Sequence, residues 1–546
     1  MTRGADSVPK LPVRQLAILA VVRFAEPVAS TSVFPYLPHM IRDFGVPLDK
    51  VAKWAGLTSA IFSLCQSVAA VPWGKASDRF GRKPILVWGL ISTTICFLVW
   101  GMSTSLPMAL TVRAIEGAGN GNVGIIRTMV AEMVTHKELQ PKAFSIMPLV
   151  WSLGSVVGPA FGGFFAQPAE RFPNVFGHIE FFKRFPYALP NFIATFFFFI
   201  SASSAILFLK ETHPEKRDEK DWGLLVGERL TRAIRRDPGQ ISQRRVSFVD
   251  GEATAPLIPT QVTPTKNLSR QPAPGMKEVF TRQTVINLAC YTFLAFHSVA
   301  FDQNLTVLLY YPVIPRTPEN TKFPFYFTGG LGLDSGTIGT FFTLYGLTCG
   351  SIQFLLFPPL VRRYGVHNCF KLCSVITPVV YLLTPYTSLF PTPTTRYLAV
   401  LAVMVLKAFS IIIAFPATTI LLTNSATSVR ILGTLNGFAT MFSCLGRALG
   451  PATTGLVFSW GAQHGYIVSA YFFLAFIAAI GAIPAFWIVE GSGPSASVES
   501  TDSSDTEGDE AFATSQTVFA DSEDDEEATA SSPLLKGNQK NYSTTN

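Results

Sequence analysis

The chain has 546 residues, 48% of them hydrophobic and only 14% charged, with a mean hydropathy of +0.34 and a formal net charge of +7. That balance excludes an ordinary water-soluble fold, whose helices need charge along their length, and describes a chain solvated by lipid. The charge is unevenly placed: from Gly491 onward there are twelve acidic and two basic residues, so the rest of the chain carries +17. A basic membrane body with an acidic tail points to topology and not to nucleic acid, and no base-reading motif accompanies the basic clusters.

Taken in chain order, apolar runs between breaker clusters predict six spans near 15–37, 54–73, 85–102, 107–133, 143–166 and 188–209, and six more near 284–311, 336–357, 370–390, 397–423, 432–460 and 465–489. The runs are close to the ~20 residues that cross a hydrocarbon core. The first holds Glu26 and Pro27 and lacks a small-residue cleavage site, so it reads as a retained span and not a removed signal peptide. Residues 210–282 carry fourteen basic and ten acidic residues with Pro-rich stretches, and predict a mostly disordered linker with one short helix near Trp222–Ile234. The Ser/Asp/Glu-rich residues 491–546 have too little apolar surface to fold. The expected architecture is an all-α membrane protein of twelve transmembrane helices in two pseudo-symmetric six-helix halves. It comprises an N-terminal segment 1–14, a first half 15–209, the linker 210–282, a second half 283–490 and the acidic tail 491–546.

Lys and Arg set the expected orientation. The N-terminal segment, Lys75–Lys83, His136–Lys142, the linker and Arg362–Lys371 fall on one side, which the positive-inside rule makes cytoplasmic together with both termini. Arg42, Lys50 and Lys53, and also Arg171, Lys183 and Arg184, fall in the opposite loops, where Asp43, Asp49, Glu170 and Glu180 accompany them. The seven cysteines are scattered, with no CxxC pair, so neither a disulfide framework nor a zinc site is supported. No cofactor or metal is expected, and no phosphate-binding loop, HExxH or GxSxG element marks an enzyme.

The chain repeats itself. Gly154-Ser-Val-Val-Gly158-Pro159-Ala-Phe-Gly162-Gly163 in span five is echoed 292 residues later by Gly446-Arg-Ala-Leu-Gly450-Pro451 in span eleven. Arg79-Phe80-Gly81 is echoed 284 residues later by Arg363-Tyr364-Gly365. Two similar offsets in the same order predict homologous halves with substrate bound at their interface.

The most specific motif is Gly74-Lys-Ala-Ser-Asp78-Arg79-Phe-Gly81-Arg82-Lys83-Pro-Ile-Leu86, placed in the loop joining spans two and three. Its glycines allow a tight turn and close helix approach, while Asp78, Arg79, Arg82 and Lys83 can build an ion-pair latch that forms in one conformation and breaks in another. A plain basic loop that only fixes topology is the alternative.

This loop resembles the signature of the major facilitator superfamily, Gly-x-Leu-(Ala/Ser)-Asp-Arg-x-Gly-Arg-(Lys/Arg)-x-x-Leu, with Ala76 in place of Leu. Arg113, Gly117 and Gly119 resemble the family's Arg-x-x-x-Gly-x-Gly element, which implies a cavity-facing arginine linked to proton transfer. The spacing of Arg113, Glu116, Asn120 and Arg127 places them on one helix face, where the bland reading is a self-neutralising Arg113–Glu116 pair. Gly154, Gly158, Pro159, Gly162 and Gly163 look like the family's antiporter element, in which small residues bring helices together and proline permits a bend.

Glu26 in span one and Asp302 in span seven occupy equivalent spans, and the resemblance implies that both line the cavity. Glu26 is the first candidate for the coupling residue, with pairing to Arg23 the alternative; His297 reads better as a packing histidine than as a relay. Lys407 in span ten is the counterpart of Arg113, and it and Arg447 need a partner or a water path; snorkelling or pairing is the first reading and contact with an anionic substrate the alternative. The first-span run Arg23-Phe-Ala-Glu26-Pro27 with Phe34-Pro35-Tyr36-Leu37-Pro38, and Glu211-Thr212 after span six, resemble the zinc-induced-facilitator-like branch in its fungal form, without the His-rich linker that would point to metal.

These resemblances imply a monomeric secondary transporter in the lipid bilayer that exchanges a small organic solute or drug against protons by alternating access. A uniporter or symporter, or a sensor or receptor on the same fold, is the alternative. Asp521–Glu527 ahead of Pro533-Leu534-Leu535 resembles an acidic dileucine signal, which makes the vacuolar membrane a candidate destination beside the plasma membrane.

Overall fold

Apolar sequence in lipid has no water to satisfy its backbone, so it closes its own hydrogen bonds, and this chain does so almost wholly as helix. The structure, a computed structural model, describes residues 11–134, 146–213, 216–217, 219–235, 276–426 and 432–491. The basic loop 136–142, most of the linker and the tail with its dileucine element lie outside the described residues.

Among the described residues, eight helices are long and apolar enough to span a bilayer: Leu48–Phe80, Arg82–Gly101, Ala188–Phe208, Arg282–Tyr310, Ser335–Tyr364, Val366–Leu389, Pro393–Asn424 and Ser469–Trp487. The first span is a pair, Val13–Ser32 and Leu37–Asp43, bent by 55° where Pro35 and Pro38 interrupt the backbone ladder. Leu106–Gly119 with Asn122–Met133 form the fourth span, Ile146–Phe164 the fifth and Leu432–His464 the eleventh. Exposed apolar side chains such as Phe196, Phe199, Leu355, Val379, Leu398 and Phe476 belong to a surface meant for lipid, not water. The chain is an all-α multi-pass membrane protein.

Two spans depart from expectation. The second continues to Phe80, because the basic sequence Gly74–Phe80 keeps its helical hydrogen bonds beyond the apolar run. The motif is therefore mostly helix, and only Gly81, at φ +101°, makes the turn into the third span. The fourth span breaks at Asn120, whose ψ of 79° ends the helix in a sequence of three glycines within five residues. That break removes the single face expected for Arg113, Glu116, Asn120 and Arg127.

The repeat is visible in the packing. A Cβ at Gly158 would overlap the Val28 carbonyl and Thr31, and one at Gly162 the Ser32 carbonyl, so the fifth span lies backbone to backbone on the first. In the second half, Gly446 and Gly450 press on the Thr292 and Phe296 carbonyls, seating the eleventh span on the seventh in the same way. Gly163 meets the Ser335 carbonyl and Gly455 meets the Ala52 carbonyl, and these equivalent contacts join the two halves.

With six spans per half, the start of the first span, the end of the sixth with its linker helix, the start of the seventh and the end of the last lie on one face, here called the linker face; Gln15 there bonds Phe208 and Lys210, and Gln283 bonds Trp487. Contacts between the halves gather toward the opposite, far face. There Lys53 donates its backbone N–H to Ser459 Oγ at 3.1 Å, Gln463 donates to Asp49 at 2.8 Å and Arg171 pairs with Asp334 at 3.3 Å. Burial alone would raise the Asp334 carboxyl, but hydrogen bonds from Thr337 and Gly336 and the Arg171 guanidinium outweigh it and hold it below the usual carboxylate value. The hydrogen bond between halves nearest the linker face, among the described residues, is Arg127 to Thr440 at 2.8 Å.

The short helix expected in the linker is Trp222–Arg235. Gly223 and Gly227 set it against the Ile206 and Leu207 carbonyls at the end of the sixth span. Asp221 caps it by accepting from the Leu224 N–H at 3.2 Å.

Candidate transport site

Charge inside a bilayer must be paired or face water. Among the described residues, eight charged ones lie six or more positions inside the ends of their spans: Arg23, Glu26, Arg113, Glu116, Arg127, Asp302, Lys407 and Arg447. Three pairs form among them. Arg23 meets Glu26 within the first span, Arg113 holds Glu116 at 3.0 Å, and Lys407 reaches across from the tenth span to Asp302 of the seventh at 2.5 Å.

The Arg113 and Lys407 pairs are built alike. The Arg113 guanidinium stands 4.3 Å over the Trp100 ring and also faces Phe62 and Phe97. Lys407 Nζ stands 4.7 Å over Tyr345 and 5.4 Å over Phe301. Each cation thus has one carboxylate and an aromatic cup, which offsets part of its desolvation. They differ in access: the Glu116 side chain is 3% exposed, that of Asp302 is 20% exposed.

The remaining cations, Arg127 and Arg447, meet the interface between the halves without a carboxylate among the described residues. Arg447 donates to Gln66 Oε1 at 3.4 Å and to Cys444 Sγ at 2.9 Å, and Gln66 in turn donates to the Asn120 carbonyl at 3.4 Å. Ser59 donates to Gln303 at 2.8 Å across the same interface. Asn120 is therefore at the site, but through its backbone at the helix break. His297 shares a 2.9 Å hydrogen bond with the Tyr381 hydroxyl, whose ring stacks on Phe301.

The charges of the motif form an ion-pair network, with a centre of weight different from the expected one. Arg82 donates to Glu132 at 3.0 and 3.1 Å, to Ser77 Oγ at 2.7 Å and to Asp78 at 2.5 Å. The Glu211 carboxylate accepts the backbone N–H groups of Arg82 and Lys83, each at 3.0 Å, and so caps the third span where its dipole is positive. Lys83 Nζ pairs with Asp221 of the linker helix at 2.6 Å. Asp78 is 64% exposed, and an exposed i,i+4 pair contributes about 1 kcal/mol at most. Arg79 lies over the exposed Phe80 ring, outside the network. A Cβ at Gly74 would meet nothing, so that glycine makes neither a turn nor a close approach.

The expected results follow from burial. Arg82→Ala lowers the thermal stability of the purified protein by about 2 kcal/mol, whereas Asp78→Asn lowers it by less than about 1 kcal/mol. Parallel unfolding curves of the two variants check the ranking. Sequence spacing did not disclose Glu132, Asp221, Gln66 or the aromatic cups, because each reaches its partner from a different span or segment. Only Glu211 carried a signal, through the resemblance noted at the end of span six.

A two-half helical fold with paired intramembrane charges at equivalent positions is the architecture of a transporter, and the comparisons agree. Residues 19–317 match the family model described as Major Facilitator Superfamily. The chain belongs to the major facilitator superfamily. It is 39% identical over 518 residues to the multidrug transporter mfsB of Aspergillus fumigatus, covering 90% of this chain and 85% of that protein. It is 25% identical over 456 residues to the protein ZINC INDUCED FACILITATOR 1 of Arabidopsis thaliana, covering 83% and 85%. Its fold matches the crystal structure of a D-xylose-proton symporter with a TM-score of 0.58 at 14% identity, covering 87% of this chain and 97% of the other. As a superfamily member the chain is a membrane transporter of small-molecule substrates.

Proposed function

We propose that this major facilitator transporter exchanges a small organic solute against protons, as a monomer with its linker face in the cytoplasm. The observation that carries the reading is the Asp302–Lys407 pair, a carboxylate and an ammonium bridging two spans deep in the membrane. A proton arriving at Asp302 breaks that bridge, and its departure restores it, so proton occupancy and the relative position of the seventh and tenth spans are linked. Glu26, the first choice from sequence, sits beside Arg23, with Arg127 and Arg447 within electrostatic range. A proton there would share its surroundings with three guanidiniums, and Asp302 faces one ammonium and is partly exposed. Glu116 is too enclosed to exchange freely in this conformation.

Closure toward the far face makes the conformation inward-facing under this orientation, ready to load solute from the cytoplasm. The Aspergillus fumigatus relative's name as a multidrug transporter supports a broad organic cargo, exported across the plasma membrane or sequestered across the vacuolar membrane.

The test is purified protein in vesicles with an imposed pH gradient, screened against an organic solute library with a pH-sensitive dye inside. Solute addition is expected to release protons from the lumen in the wild type. The Asp302→Asn, Lys407→Met double variant, which keeps the site neutral, is expected to retain solute exchange and lose the proton signal. A double variant that still couples flux to pH removes Asp302 from the role.

A further inference from the structure

Five cations and three carboxylates make up the eight charged residues set deep in the spans, leaving two positive charges inside the membrane. The surplus is local. Arg113 and Lys407 are each matched by a carboxylate, and Arg23 by Glu26, whereas Arg127 and Arg447 have none among the described residues. The two stand together. Thr440, which accepts from Arg127, and Arg447 are seven residues apart on the eleventh span, hence on one helix face, and Arg23 feels both charges.

Arg447 can neither snorkel nor find a carboxylate among the described residues. It lies fifteen residues from one end of its helix and seventeen from the other, about 22 Å of helix at least, farther than a side chain can snorkel. Its local partners are a carboxamide oxygen and a thiol sulfur, both uncharged, and its Nε is buried with no hydrogen-bond partner among the described residues. A guanidinium with an unmet buried donor presents an unfilled half of the fork that grips carboxylates and other oxyanions in pairs.

We infer that Arg127 and Arg447, with Gln66 between the second and eleventh spans, form an anion subsite at the interface between the halves, and that the transported solute carries a carboxylate, sulfonate or phosphate group. The subsite uses residues of the first half and the second half at once, Gln66 and Arg127 from one and Arg447 from the other, so an anion held there is gripped by both halves, beside the Arg447–Gln66 and Arg127–Thr440 hydrogen bonds that already join them. That gives the solute a direct hold on the alternating movement. The inference rests on the chain being a transporter and is independent of proton coupling.

The test uses full-length purified protein in detergent and two probes of like shape and opposite charge, naphthalene-1-sulfonate and trimethyl-1-naphthylammonium. The sulfonate is expected to raise the unfolding temperature in a saturable way and the ammonium to leave it unchanged. Arg447→Gln should weaken sulfonate binding about tenfold or more, in keeping with the loss of a charge-assisted hydrogen bond, and Arg447→Lys should weaken it less. The variants are accepted only if they elute as the wild type does on gel filtration; Arg127→Gln serves where Arg447→Gln does not. Stabilisation by the ammonium alone, no shift with the sulfonate, or sulfonate binding that survives both arginine replacements overturns the subsite. Because no gradient is involved, protein that binds the sulfonate and moves no protons loses the coupling and keeps the subsite, and the reverse outcome separates them the other way.

Discussion

Lys407→Met is expected to destabilise the protein by about 3–5 kcal/mol, the cost of leaving a buried carboxylate without its partner. Lys407 is almost wholly enclosed, and its ammonium holds Asp302 at 2.5 Å beneath the Tyr345 and Phe301 rings. The methionine fills the same volume and keeps the contacts with both rings, so packing loss contributes little. Adding Asp302→Asn to Lys407→Met removes the orphaned charge and is expected to return most of the stability, because a matched neutral replacement of both ions avoids their desolvation. Thermal unfolding of the two single variants and the double variant, run as a cycle, reads the coupling directly. Additive losses would mean that the ions do not depend on each other and would remove the basis for linking Asp302 to the movement of the spans.

That pair shows how far a linear reading reaches. The sequence marks Lys407 as the counterpart of Arg113 by its offset of 294 residues, and it marks Asp302 as a buried acid. It does not join them, because the separation of 105 residues between seventh and tenth spans carries no local signal. Pairs within one helix were legible: Arg113–Glu116 and Arg23–Glu26 sit at i,i+3, where side chains meet. The same helical arithmetic failed for Arg127, since the backbone break at Asn120 reset the register that the arithmetic assumed. Span count and the two-half repeat were legible because lipid fixes the length of an apolar run and the glycine spacing recurs. Apolar length did not predict where the second span ends, because the basic sequence after it is still good helix.

The latch motif offers a sharper lesson about motif residues. A sequence signature weights Gly74, Asp78, Gly81, Arg82 and Lys83 equally, but this conformation does not. Arg82 and Lys83 hold the third span to the fourth, the sixth and the linker helix, and Glu211 caps their backbone. All of those partners lie in the first half or in the linker helix attached to it. The network therefore stiffens one half in this conformation, and Asp78, exposed at the end of its helix, joins it only through the surface pair with Arg82. Asp78 is thus the motif residue whose loss should leave the stability of this state nearly unchanged.

Two alanine substitutions separate glycines that the sequence treats as kin. In Gly158→Ala the new methyl group would overlap the Val28 carbonyl and the Thr31 hydroxyl, and the backbone cannot yield without parting the fifth span from the first. That movement also breaks the bond from Thr31 Oγ1 to the Gly154 carbonyl at 3.2 Å. The expected loss is about 1–3 kcal/mol by overpacking, seen as a lower unfolding temperature and a poorer yield of monodisperse protein. Gly450→Ala, pressed on the Phe296 carbonyl in the second half, should behave alike, since the repeat places it at the same seam. Gly74→Ala should do the opposite. That residue sits inside a helix with open space around it, so alanine replaces a poor helix former without a clash and is expected to stabilise this conformation by about 0.5–1 kcal/mol. If Gly74→Ala nevertheless slows transport while raising stability, the glycine is needed for close approach in the other conformation, and its place in the motif belongs to the movement and not to this state.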